Sequence, residues 1–185
     1  MAIAVVRPSR AEMDRCFVRF DELERQETGF PDMLLPEGKR VLRNVIGNQD
    51  SPFDDHAPAA ISHLKAGIVV AYISARPGKG VTMHTHDTVE TFIAIKGRWK
   101  VEWQLDSGVE AVVLGPRDVI ACPVGVLRRF ECVEAALGED EGLLLGINVG
   151  DAPTAEGSPE AIQRLLDAGV FTPEQAKAAF DGLRT

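Results

Sequence analysis

The chain has 185 residues, 45% of them hydrophobic and 26% charged, with a formal net charge of −8. That length is about one domain and buries a sizeable core without disulfide staples. The acidic balance, with no basic stripe interleaved with aromatics, excludes general affinity for nucleic acid or an anionic membrane. No apolar run approaches the ~20 residues that span a bilayer. The opening apolar run is cut short by Pro8 and charges, unlike a secretory leader. Cys16, Cys122 and Cys132 are odd in number and lack metal-finger spacing, so they read as reduced thiols in a cytoplasmic protein.

Residues 1–66 are mixed and form an expected N-terminal arm. The piece from Arg10 to Arg25 fits a short helix, and within it Cys16 to Phe20 fits a strand equally well; the two stay open. Val41 to Ile46 reads as a short strand, and the Asn, Asp and Pro residues between Gly47 and Pro58 read as a loop. From Gly67 the pattern turns to short strands separated by turn residues. Ile68 to Ala75 is almost wholly apolar, as in a strand buried on both faces. Trp99, Val101, Trp103 and Leu105 alternate with Arg98, Lys100, Glu102 and Gln104, a period of two that marks a half-buried strand. Asp106-Ser107-Gly108 turns the chain into Val109 to Leu114, and Val119 to Cys122, Leu127 to Val133 and Leu143 to Val149 complete the series. Such a series predicts an all-β sandwich or barrel over residues 67–150. Residues 151–185 read as a linker and two short helices. Ser158-Pro159 and Thr172-Pro173 supply N-caps, and Gln175 closes a capping box with Thr172.

Chemistry concentrates between Gly78 and Gly97. His84 and His86 lie two apart, so on a strand both rings point to one face, and Glu90 follows after a short turn on the same face as Phe92 and Ala94. Two imidazoles and a carboxylate suit one divalent ion such as Fe, Mn, Ni, Zn or Co, and are also the ligand set of non-haem iron oxygenases. A carboxylate beside two inward histidines has little place in an ordinary core.

These residues resemble the cupin family. Its first motif is glycine, five residues, His-X-His, three or four residues, glutamate, six residues, glycine; Gly78, His84, His86, Glu90 and Gly97 satisfy each fixed position. Gly115, Asp118, Pro123 and Gly125 resemble the second motif with imperfect spacing, and Arg128 stands where the family has its last metal-binding histidine. The resemblance implies a double-stranded β-helix, or jelly-roll, barrel with an N-terminal arm and short C-terminal helices. It also implies a wide menu of activities, among them dioxygenases, isomerases, decarboxylases, lyases, binding modules and storage proteins. The leading expectation is a metal-dependent enzyme of dioxygenase, isomerase or lyase type acting on a small organic acid, with His84, His86 and Glu90 on the metal. The competing expectation is a non-catalytic module that binds or senses a small metabolite, with or without metal. Arg128 has three readings: it clamps a small anionic metabolite beside the metal, it pairs with Glu90 in a metal-free barrel, or it turns to solvent. Tyr72, the one tyrosine, reads as a proton donor in the cavity or as a strand residue at the rim. His56 and His63 read as loop histidines that fold over the metal or stay solvated. Cys132 reads as a buried, inert thiol, and Trp99 and Trp103 as core or dimer interface. A homodimer that covers sheet edges is expected.

Overall fold

Alternation of apolar and polar residues sets the strands, and their inward faces build the interior. The computed structural model describes residues 3–47, 57–150 and 153–182. Eleven strands form two antiparallel sheets. They are β1 (Val41–Ile46), β2 (Ile68–Ala75), β3 (Lys79–Gly80), β4 (His84–His86), β5 (Glu90–Lys96), β6 (Arg98–Leu105), β7 (Gly108–Leu114), β8 (Val119–Cys122), β9 (Arg128–Glu134), β10 (Gly142–Val149) and β11 (Ala155–Gly157). One sheet runs β1-β2-β10-β5-β8. The other runs β11-β4-β9-β6-β7, with β3 also paired to β9. This is the expected jelly-roll arrangement.

The five-stranded sheet begins upstream of residue 67, because β1 pairs along β2 from Val41↔Ser74 to Ile46↔Val70. The second sheet extends past residue 150, because β11 pairs with β4 at Ala155↔His86 and Gly157↔His84. Strand pairing therefore draws both flanks into the sheets.

Register stacks the interior in layers. On β10 and β5, Leu144 faces Ala94, Gly146 faces Phe92 and Asn148 faces Glu90. At the first of these levels the barrel is dry: Trp99, Cys132 and Leu144 are fully buried, and Trp99 Nε1 donates to Lys96 O at 3.1 Å. Phe130 packs edge-on against both Phe92 (centroids 5.1 Å apart) and Trp99 (5.8 Å). Gly97 makes the β5–β6 turn with φ of 73°, and a Cβ there would lie 2.4 Å from Glu134 O, so no other residue fits. Toward Asn148 and Glu90 the interior turns polar and opens into a cavity.

Of the two open readings of residues 10–25, the helix holds for its first turn only and the strand over residues 16–20 does not form. A single helical turn, α1 (Arg10–Asp14), carries a Ser9/Glu12 capping box, and a 3-10 turn spans Phe20–Glu22. None of the α1 residues is buried, so no apolar face exists to extend the helix. At the other end, α2 (Pro159–Asp167) and α3 (Pro173–Gly182) start as expected: Ser158 Oγ accepts from Ala161 N, and Thr172 and Gln175 exchange hydrogen bonds. Ala161, Ile162 and Leu165 of α2 are buried and line the cavity. No helix among the described residues is long and apolar enough to cross a membrane.

Candidate metal centre

β4 places His84 and His86 side by side, their rings nearly perpendicular with centroids 5.1 Å apart. Each ring is fixed by its Nδ1, which donates to a backbone carbonyl: His84 to Thr82 O and His86 to Thr154 O, both at 2.8 Å. A carbonyl only accepts, so the proton sits on Nδ1 and each Nε2 keeps its lone pair. Those Nε2 atoms lie 3.9 Å (His84) and 3.7 Å (His86) from Glu90 Oε2. The three donor atoms fall within 4.8 Å of one another, close enough to share one ion. Burial pushes the His84 imidazole down to about 4, outweighing the attraction of Glu90, and Arg128 pushes in the same direction. His86 is lowered too, again chiefly by burial. Both rings are thereby held in the neutral, ligating form.

Arg128 pairs at its Cα with His84 across β9 and β4, and its side chain is completely buried. Nε and Nη2 both donate to Glu90 Oε2, at 3.1 and 2.9 Å, while Nη1 donates to Val126 O at 3.1 Å. The solvent-facing reading is excluded. The guanidinium engages Glu90 and is not among the residues that line the cavity.

A second buried guanidinium, which the sequence did not reveal, does line it. Arg40 makes a two-pronged contact with Asp32: Nη1 to Oδ2 at 2.9 Å and Nη2 to Oδ1 at 3.0 Å. Nη1 also donates to Gly38 O and Gly80 O. Asp32 Oδ2 accepts from Thr82 N at 3.2 Å, and Thr82 O is the atom that fixes His84. The N-terminal arm thus holds the His84 ring through Asp32 and Thr82.

The cavity is about 650 Å³, lined largely by apolar side chains from the barrel and α2, and by His84, His86, Glu90 and Asn148. The structure does not bring every candidate there. Tyr72 alternates with the cavity-lining Ala71 and Ile73, and its ring packs edge-on against Phe20 at 5.1 Å, outside the barrel. His63 is exposed on the arm side, its Nε2 3.8 Å from Cys16 Sγ. His56 lies outside the described residues. Cys132 belongs to the dry core, and Cys122, the cross-strand neighbour of Glu90, is buried with its thiol pushed up to about 11 by desolvation first and the Glu90 charge second. Asn148 is a site residue the sequence reading passed over, although it stands at an inward position of an otherwise apolar strand.

No protein-family model matches the sequence, and no curated protein matches it. Solved structures do share its shape. Oxalate decarboxylase from Lactobacillus farciminis, solved as a formate complex, superposes with a TM-score of 0.53 at 14% identity, over 85% of this chain and 41% of that one. Vicilin from hazelnut, Corylus avellana, gives 0.52 at 12% identity, over 88% and 45%. Vicilin from Solanum melongena, described with different anionic ligands in structurally similar pockets, gives 0.50 at 13%, over 77% and 36%. The chain spans less than half the length of each. At these identities the likeness concerns the fold, and together with the two-sheet jelly roll it establishes that this chain has the cupin fold.

Proposed function

We propose that this chain binds one divalent metal ion on His84, His86 and Glu90, and that it is a metal-dependent enzyme of dioxygenase, isomerase or lyase type acting on a small organic acid. The observation that carries the reading is the pair of Nδ1–carbonyl bonds, which leaves both Nε2 lone pairs beside one carboxylate oxygen. The donor set fits iron, manganese, nickel, zinc or cobalt. Such an ion supplies Lewis acidity toward a bound oxygen group. The chain's residues do the rest. Thr82 and Thr154 hold the imidazoles in place, Arg128 orients Glu90, and the apolar walls exclude water from the bound acid.

Charge supports an anionic ligand. Glu90 and Arg128 cancel, so an added divalent ion leaves two uncompensated positive charges in a buried site, and an anion relieves them. The formate and other anions in the solved cupins agree with this. The reading includes a homodimer, for which Val109, Val112 and Val113 on the β7 edge offer exposed apolar surface. A second reading, a metal-free binding barrel, is favoured by one observation: Arg128 already donates twice to the oxygen of Glu90 nearest the histidines.

Elemental analysis after purification without added metal separates the two. The wild type is expected to carry close to one equivalent of a first-row divalent ion, and the His84→Ala/His86→Ala double variant none while keeping its fold. Equal metal content in both, or none in the wild type after incubation with each candidate ion, favours the metal-free barrel.

A further inference from the structure

Asn148 is not one of the three clustered donors, yet it is the cross-strand neighbour of one of them, Glu90. On β10 its Cα is paired with Glu90 on one side and Val69 on the other, and its side chain lines the cavity. The residue is 2% exposed, and its Nδ2 has no hydrogen-bond partner among the described residues. A buried amide donor left unpaired destabilises a fold, and an apolar residue of similar size avoids that cost. The rest of the strand's inward face follows the apolar rule: Leu144 packs in the core, and Gly146 keeps the cavity open one register step away, where a Cβ would press within 3.3 Å of Ile73 Cδ1.

We propose that Asn148 is the ligand-orienting donor of this cavity, its Nδ2, enclosed when the cavity is empty, turning about the Cβ–Cγ bond on binding to meet an acceptor oxygen of a monocarboxylic acid with a branched aliphatic or aromatic body. The class follows from what surrounds the amide. The guanidinium in the wall, Arg40, is committed to Asp32, Gly38 O and Gly80 O, and Arg128 is committed to Glu90 and Val126 O. No second carboxylate finds a cation there. The remaining wall, with Leu42, Ile73, Phe130, Ile162 and Leu165, takes an apolar body, and about 650 Å³ is ample for one. The inference rests on the single-metal reading, because the ion supplies the positive charge that a carboxylate beside Glu90 requires.

The test titrates Mn(II) first and then two acids, 4-methyl-2-oxopentanoate and pyruvate, which share a 2-oxo acid group and differ in the apolar body. Wild-type protein and Asn148→Leu are compared, with Asn148→Ala serving if the leucine variant does not fold. Expected are equal Mn(II) affinities, at least tenfold tighter binding of the branched acid than of pyruvate by the Mn(II)-loaded wild type, and at least tenfold weaker binding of the branched acid by the variant. Metal-free Asn148→Leu is expected to melt no lower than the wild type, which a structural role for the amide would not allow. Branched-acid affinity unchanged in the variant, or no branched-acid binding by the wild type, overturns the assignment. If Mn(II) fails to bind, the single-metal reading falls by itself. The same acid titrations on metal-free protein then decide: loss of binding in the variant keeps Asn148 as the donor, and equal or absent binding removes it.

Discussion

Two buried guanidinium–carboxylate pairs flank this cavity, and they are built differently. Arg40 meets Asp32 with both prongs on both oxygens, and its remaining capacity goes to the carbonyls of Gly38 and Gly80. Asp32 is further held by Thr82 N. Both oxygens of that carboxylate are held by donors of the protein itself. Arg128 instead puts Nε and Nη2 on one oxygen of Glu90, the same oxygen that the two histidine Nε2 atoms approach. One pair is a closed structural clasp; the other shares its carboxylate with groups able to bind something else. Buried ion pairs are weak evidence for stability, and what separates these two is which of them accepts a new partner.

The largest test of that contrast is to remove each arginine. Arg40→Ala strands Asp32 without its cation, and a loss of about 3–5 kcal/mol in urea unfolding is expected, with or without metal. Arg128→Ala is expected to lose a comparable amount in metal-free buffer and to regain most of it when Mn(II) is added, because the ion becomes the counter-charge of Glu90. Recovery in both variants or in neither would erase the distinction.

Acidification acts on the Glu90 side next. The folded protein holds His84 down at about 4, whereas an unfolded chain protonates near the ordinary 6.5. Between those values the unfolded state binds more protons, so stability is fully present above pH 6.5 and falls as pH drops toward 4. The gap corresponds to roughly 3 kcal/mol for the metal-free protein. Unfolding midpoints measured across that window should fall with pH in the wild type and less steeply in His84→Ala, where only the contribution of His86 remains. Identical slopes would show that the His84 ring is not held neutral by the fold.

The smallest expected effect comes from Arg128→His. It takes a fixed positive charge from the neighbourhood of the ion and offers an imidazole in its place, so calorimetric Mn(II) affinity should rise about tenfold, equivalent to about 1.4 kcal/mol. Arg40→His offers nothing to the ion and should leave that affinity where it was or lower it through a looser His84. A rise in the second variant and none in the first would invert the comparison.

How much of this was readable beforehand depends on how far along the chain each contact reaches. Strand positions follow local alternation, and β1, β2, β6 and β8 begin and end where the residue pattern says they do. The cluster of His84, His86 and Glu90 was equally legible, since all three lie within seven consecutive residues and strand parity aims them together. Parity also places Tyr72 opposite its cavity-facing neighbours Ala71 and Ile73, and Asn148 on the inward face with Leu144 and Gly146. Both were within reach of the pattern. The Asp32–Arg40 clasp was not. It depends on Gly80 and Thr82, forty and more residues onward, and nothing local distinguishes an aspartate that finds an arginine from one that finds water. The same holds for β1 and β11, whose pairings no periodicity announces.

The bond from His86 Nδ1 to Thr154 O has a consequence for biosynthesis. It joins residues 68 positions apart, and β11, which carries the chain onward along β4, is among the last strands to leave the ribosome. Translation delivers the barrel strands in order from the N-terminus. An N-terminal stretch ending at β10 would already contain both histidines and Glu90, yet the His86 ring would have no carbonyl to fix its tautomer. The bond that fixes His86 in the proposed metal site is therefore available only once β11 has been made.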